Sequence, residues 1–188
     1  RSAYVVEDAC QALLTSGVGE AGDCVLFSPR KWVGVPDGGI LRAAPDEKIR
    51  QVALVPPDAE WWLSGLEAAV LKREFDRTQQ GDRRWFELFQ WHDAHGGVGP
   101  FAMSELSELL LRTRFDYPAI AQRRRHNYQF LAEWLPDLAL MPELPLAVVP
   151  LGFPIRSHQR DALRCALFER QIFPTVHWST DGIVPDSF

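Results

Sequence analysis

The chain has 188 residues, of which 46% are hydrophobic, 24% charged and 11% aromatic, and 20 basic against 25 acidic residues leave a net charge of −5. That is enough chain for one ordinary core, or for a larger unit with a small appendage, and it excludes a disordered tail. The acidic balance disfavours nucleic acid and anionic membrane as main partners. Cys10, Cys24 and Cys165 are odd in number, unrelated in spacing and form no CxxC pair. Neither a disulfide framework nor structural zinc is expected from them, and three reduced thiols fit a cytoplasmic protein. The opening residues do not read as a signal peptide. The longest apolar stretch, 138–155, contains Glu143 and is broken by Pro142, Pro145, Pro150 and Pro154. A continuous membrane helix does not tolerate such breaks, so a soluble protein is expected.

Taken in chain order, the first fifty residues read as strands. Tyr4-Val5-Val6 runs into Glu7-Asp8, Cys24-Val25-Leu26-Phe27 stops at Ser28-Pro29, and Gly38-Gly39 leads into Ile40-Leu41. Short apolar runs of this kind suit strands buried on both faces of an α/β sheet. Functional groups in such sheets gather past the carboxyl ends of the strands, where Asp8 and Ser28 fall. From Asp58, an N-cap after Pro56-Pro57, Trp62, Leu66, Ala69 and Val70 predict a helix to about Gln80. A second helix is expected from about Asp82 to Ala94, ending at Gly96-Gly97, and Ser104 starts a third with Leu106, Leu109 and Leu110 as its stripe. Pro118 suits the first turn of a fourth, which carries Ile120, Tyr128, Leu131 and Leu135 before Pro136 ends it. Residues 146–155 read as extended and Arg160 to Arg170 as a last helix. A boundary is expected near 115–118, with a strand–helix–strand unit beyond it.

Two segments carry chemistry. The first is Val5-Val6-Glu7-Asp8-Ala9-Cys10-Gln11-Ala12; the second is Phe27-Ser28-Pro29-Arg30-Lys31, followed by Pro36-Asp37-Gly38-Gly39. A carboxylate at a strand end and a lysine in a tight turn 23 residues later could form a pair around a cofactor. A lysine with a lowered ammonium pKa attacks carbonyls to form a Schiff base. An aspartate beside a pyridine nitrogen keeps that ring protonated and electron-withdrawing. On spacing alone, a solvated lysine and a turn-capping aspartate explain the same residues.

Together the two segments resemble the DegT/StrS-type aminotransferases, pyridoxal-phosphate (PLP) enzymes that mostly aminate keto groups on nucleotide sugars. Glu7-Asp8-Ala9-Cys10-Gln11-Ala12 is similar to the family's E-D-A-x-[HQ]-A strand end, and Phe27 to Gly39 to its lysine turn and acidic-Gly-Gly step. Arg124-Arg125-His126-Asn127-Tyr128 resembles the helix linking the family's domains. Pro150-Leu151-Gly152-Phe153-Pro154-Ile155, Arg160-Asp161-Ala162-Leu163 and Gln171-Ile172-Phe173-Pro174 resemble its small domain. The resemblance covers about two-thirds of the chain and implies an α/β protein of PLP-dependent transferase fold type I. Residues 1–115 would be the C-terminal part of the large mixed-sheet domain, and 116–188 the interdomain helix and a small α/β domain.

The resemblance also implies roles. Lys31 would form the Schiff base with PLP and shuttle the proton, Asp8 would pair with the pyridinium nitrogen, Gln11 would contact the ring region, and Ser28 would hold the phosphate. Ser28 stands three residues before Lys31, whereas the commoner family turn has its serine five before, where Leu26 stands. An amino-acid donor, a keto-sugar acceptor and a homodimer with active sites at its interface are implied. A related branch that performs dehydration has histidine in place of the lysine; Lys31 departs from it. The alternatives are another fold type I PLP reaction, of lyase or dehydratase type, and a truncated homologue without catalysis. Against the family's length, the chain reads as an internal segment of a longer enzyme. It starts in the strand before Asp8, after the part that would supply another phosphate loop and the ring-stacking aromatic, and it stops before the last strand and helix.

Other features have plainer readings. His92-Asp93-Ala94-His95 reads as a polar helix end rather than a metal site, and Arg123-Arg124-Arg125-His126 as a solvated helix face or a source of interdomain ion pairs. The tryptophans of the unmatched stretch 44–103 read as core or interface. Gly17-Val18-Gly19 lacks the Lys-Ser/Thr of a P-loop. His177-Trp178 follows an expected strand and is placed facing the active site.

Overall fold

Three strands and five helices make up the mixed α/β architecture of the computed structural model, which describes residues 3–43 and 52–176. The expectation for His177-Trp178, like the end of the chain, lies outside the described residues. β1 (Val6–Asp8) and β2 (Cys24–Phe27) are parallel, with Val6 opposite Cys24 and Asp8 opposite Leu26. β3 (Ile40–Ala43) adds antiparallel to β2, pairing Leu41 with Leu26, and the order is β1-β2-β3. β1 sits two residues later than the apolar run Tyr4–Val6, because its pairing with β2 begins only at Val6 and continues through the two acids.

The connection from β1 to β2 is made of turns, with Ala12 N–H donating to Ala9 and Thr15 N–H to Ala12. Its Leu13 and Leu14 pack on the main core. Burial on both faces of the sheet, expected from the sequence, is not what forms. Val25 is 1% exposed, but Val6, Leu26 and Leu41 on the opposite face are 54%, 41% and 50% exposed. Side chains alternate along a strand, and loop 18–22 packs on one face only: Arg42 reaches Val18 O at 2.7 Å while no described element covers the other. Gly19 is required there. Its φ is +82°, and a Cβ would run into Val25 and Arg42.

Helix α1 (Ala59–Thr78) starts at Asp58, whose carboxylate accepts from Trp61 N–H at 2.9 Å, and it ends at Gln79 in the left-handed region. It forms a hairpin with α2 (Arg84–Ala94). The two helices touch closely at Gly65, where a Cβ would lie 2.8 Å from the His92 ring. At the far end Phe75 and Trp85 stand 5.9 Å apart, and Trp85 meets Phe173 at the same distance. α3 (Glu105–Thr113) and α4 (Tyr117–Trp134) start at Ser104 and Asp116, each capping an N–H three residues on. α5 (Arg160–Glu169) closes the series.

Beyond Ala43 no further strand forms among the described residues; 146–155 is irregular, with only a bridge between Ala139 and Ile155. The prolines that break this stretch cannot donate to a ladder. The main core joins Trp32, Val33 and Val35 to Val149 and is flanked by Leu110, Phe115 and Ile120. It thus packs residues from both sides of 115–118 together. Arg123 and His126 are exposed, as a solvated face requires, but Arg124 and Arg125 are half-buried and bind carbonyls instead of carboxylates. Arg124 donates to Leu151 O at 3.0 Å and Trp32 O at 3.3 Å, and Arg125 to Pro145 O at 2.8 Å. Burial of Arg124 pushes its pKa below the usual arginine value. No described helix is long and apolar enough to cross a membrane.

Asp37 joins the turn region to α3. It is 1% exposed and accepts from Ser104 N–H and Ser104 Oγ, both at 2.6 Å, and from Ser107 Oγ. Hydrogen bonds to a buried charge are worth about 1.5–3 kcal/mol each when one partner is removed. Asp37→Ala leaves the Ser104 N–H and the Ser107 hydroxyl without their acceptor, while the Ser104 hydroxyl can still donate to Ser107 Oγ, and an overall loss of about 3 kcal/mol is expected. The check is a lowered urea midpoint at unchanged slope.

Candidate functional site

β1 and β2 end side by side, and the residues just past their ends meet. Ala9 N–H donates to Leu26 O at 2.9 Å, which levels the turn after Asp8 with the turn after Phe27. Pro29–Lys31 forms a single 3-10 turn with Ser28 at its N-cap, and Lys31 N–H donates to Ser28 O at 3.2 Å. Proline at the first position suits this turn because its missing donor is not needed there. Trp32 then enters the core, 4% exposed, and its indole N–H donates to Cys10 O at 3.2 Å. That bond ties the Lys31 turn to the Asp8 turn.

The sequence-predicted residues therefore share one place. Asp8 is exposed at the end of β1 and accepts from Cys10 N–H at 3.0 Å. The Cys10 backbone N–H, then the Cys10 thiol, then the positive charge of Lys31 hold the Asp8 carboxyl below its ordinary value. Burial pushes the Cys10 thiol up, reinforced by its hydrogen bond and charge repulsion from Asp8, while Lys31 pulls it down. Asp8, Cys10 and Lys31 are thus within electrostatic reach of one another. Lys31 is exposed. Ser28 is half-buried and its hydroxyl makes no cap hydrogen bond, which leaves it able to donate to a bound oxyanion. Gln11, half-buried, lies in the turn that follows Ala9.

Two acids that the sequence offered only as parts of motifs turn out to organise the site. Glu7 accepts from the N–H groups of Gly19 at 2.8 Å, Ala21 at 2.8 Å and Gly22 at 2.6 Å. The carboxylate fills a concave run of backbone donors, which fixes the loop leading into β2. Gly17-Val18-Gly19, which lacks the Lys-Ser/Thr of a P-loop, lies with Gly22 in this carboxylate-holding turn and is the sequence signal for it. Asp37 is the second, and the Ser104-x-x-Ser107 pair at the α3 N-terminus is its sequence counterpart. His92 is not part of a polar helix end. It is 2% exposed, faces α1 and stacks on Trp61 with ring centroids 4.3 Å apart. No group of three metal-binding side chains comes together among the described residues.

Comparison with known protein families, with curated proteins and with solved structures gives no match in any of the three.

Glu7 makes the site's environment pH-dependent. The N–H groups of Gly19, Gly22 and Ala21 hold its carboxyl below the ordinary 4.5, and Asp8 lies below its ordinary 3.8. Both groups release their protons more readily in the folded chain than in the unfolded one. Their stabilisation is complete above those ordinary values and is lost as the pH falls through the lower folded values. Urea midpoints should therefore fall as the pH drops below the ordinary carboxyl values and through the lower folded ones. Glu7→Gln should flatten that fall; an unchanged pH slope would show that the backbone donors do not hold this carboxylate.

Proposed function

We propose that the chain belongs to a PLP-dependent aminotransferase of fold type I and carries that enzyme's lysine. The observation that supports this reading is the convergence of Asp8 and Lys31 at the carboxyl ends of two adjacent parallel strands, where open α/β sheets bind ligands. The residues fit the cofactor in three respects. Lys31 is exposed and can reach an aldehyde, Asp8 is kept as a carboxylate for a protonated ring nitrogen, and Ser28 has a hydroxyl to spare for a phosphate. When bound, PLP would supply an electrophilic aldehyde and a ring that draws off electrons.

In this reading the four side chains divide the work. Lys31 would hold the cofactor through its amine and would be the group at hand to accept and return a proton beside it. Asp8 orients the ring and holds the proton on its nitrogen. Gln11 bounds the ring region, and Ser28 anchors the phosphate with the turn's backbone. The donor is an amino acid and the acceptor a keto sugar, by the resemblance of Glu7–Ala12 and Phe27–Gly39 to the DegT/StrS-type enzymes. The three-stranded sheet is then part of the large domain, residues 116–188 are the linking helix and small domain, and the free thiols Cys10, Cys24 and Cys165 suit a cytoplasmic setting.

A second observation favours a completed rather than a solitary site. Asp8 and Lys31 are both exposed, and Val6, Leu26 and Leu41 beside them form an uncovered apolar face. Low polarity around the lysine and exclusion of water both require more protein there. A second copy in a homodimer, or further protein of the same enzyme, would provide it, and the chain by itself would be inactive.

Borohydride reduction in the presence of PLP, followed by peptide mapping, tests the assignment. The label is expected on Lys31, absent in Lys31→Ala and weakened in Asp8→Ala. Labelling spread over other lysines, or none, would remove Lys31 from its role.

A further inference from the structure

A concavity of about 1050 Å³ lies beside the Lys31 turn, and Arg30 lines it while Lys31 does not. Small-molecule sites typically measure about 300–1,000 Å³. Its walls come from the start of β3, the first turn of α1, the end of α2 and the approach to α3. Trp61, Trp91, Phe101 and Met103 give it apolar sides, and glycines 38, 39, 96, 97 and 99 leave the backbone between them bare.

The Trp61 indole is fixed in advance by a hydrogen bond and a stacked ring, and the Trp91 indole is backed by a stacked ring alone. Trp61 stacks on His92, donates from its indole N–H to His92 O at 2.8 Å, and receives His92 Nδ1–H on its own carbonyl at 2.9 Å. Trp91 stacks on His95 at 4.4 Å, and His95 Nδ1–H donates to Trp91 O at 2.8 Å. Side chains already held in place lose little entropy when a ligand arrives.

The charge of the walls selects the ligand. Five carboxylates face two arginines. Both arginines are occupied: Arg30 pairs with Asp93 at 2.6 Å and Arg112 with Glu108 at 2.7 Å. Asp58 caps α1 and Asp37 holds α3. Glu60, exposed in the first turn of α1, has no such commitment among the described residues. The surplus negative charge repels phosphates and carboxylates, whereas a cation is attracted both to Glu60 and to the electron-rich faces of the indoles.

We propose that this cleft binds an organic cation that carries a flat or N-alkylated group, with Trp61 and Trp91 as its platforms and Glu60 as its counter-charge. The proposal stands apart from the PLP reading, since none of Asp8, Gln11, Ser28 or Lys31 lines the cleft. It also means that a phosphorylated ligand is not held here.

The test uses benzyltrimethylammonium titrated into the full chain, read from the indole N–H resonances of its seven tryptophans. Saturable shifts are expected for Trp61 and Trp91, with Trp134, which is 71% exposed, unmoved. Glu60→Gln changes an exposed side chain and should leave the spectrum folded, yet weaken binding roughly fivefold to tenfold. Benzyl alcohol and benzyl phosphate should bind at least about tenfold more weakly than the cation. Absence of saturation, equal shifts on all indoles, unchanged affinity in Glu60→Gln, or equal binding of benzyl phosphate would each overturn the proposal.

Discussion

Burial of Trp32 holds the turn after β2 from three directions at once. Its ring packs with Val33, Val35 and Val149, its indole N–H binds Cys10 O, and its carbonyl accepts from Arg124, whose guanidinium lies 4.8 Å over the ring. A large aromatic with its one donor satisfied contributes both apolar area and direction. Because Lys31 immediately precedes it, the lysine has little freedom to leave the end of β2. Because Cys10 is two residues beyond Asp8, the same side chain also fixes the distance between the two turns. The geometry of the site is thus a consequence of the core.

Arg124 extends this constraint to the C-terminal half of the chain. It donates to carbonyls on either side, Trp32 and Leu151, and is stacked on an aromatic ring instead of paired with a carboxylate. Arginine suits this because its charge is spread over a plane and its donors fan out, so several weak acceptors can replace one strong one. Thr15 acts similarly with a smaller group: its hydroxyl donates to Val149 O and accepts Val149 N–H. These cross-links stand where a sheet would otherwise be needed, since the prolines of 142–154 prevent one.

What could be read from the sequence follows from which signals are local. Helices α1, α3 and α4 begin where Asp58, Ser104 and Pro118 say they should, because a cap or an N-terminal proline acts on its own turn. The adjacency of Asp8 and Lys31 was legible from two strand ends and their turns. The roles of Glu7, Asp37 and Arg124 were not, for each is defined by partners 12 to 92 residues away. His92 was misread for a related reason: a histidine before Asp-Ala-His reads as polar, and only the facing Gly65 and Trp61 make room for its ring in the interior. The strands are legible as strands, but the exposure of one face is not, since an apolar run encodes a preference for cover and not its presence.

Arg30 and Lys31 finally show how one turn can serve two places. The charge of Lys31 acts on Asp8 and Cys10, while Arg30 pairs with Asp93 on α2. That ion pair is partly exposed and worth about 1 kcal/mol at most. It cannot by itself hold the turn against the core, and Trp32 remains the element that fixes it. The pair can still carry a small bias. A cation entering the cleft beside Asp93 competes with Arg30 for that carboxylate, and a freed guanidinium adds positive charge next to Lys31. A cation in the cleft and an anion at the strand ends would therefore influence each other through two adjacent residues, without movement of the core between them.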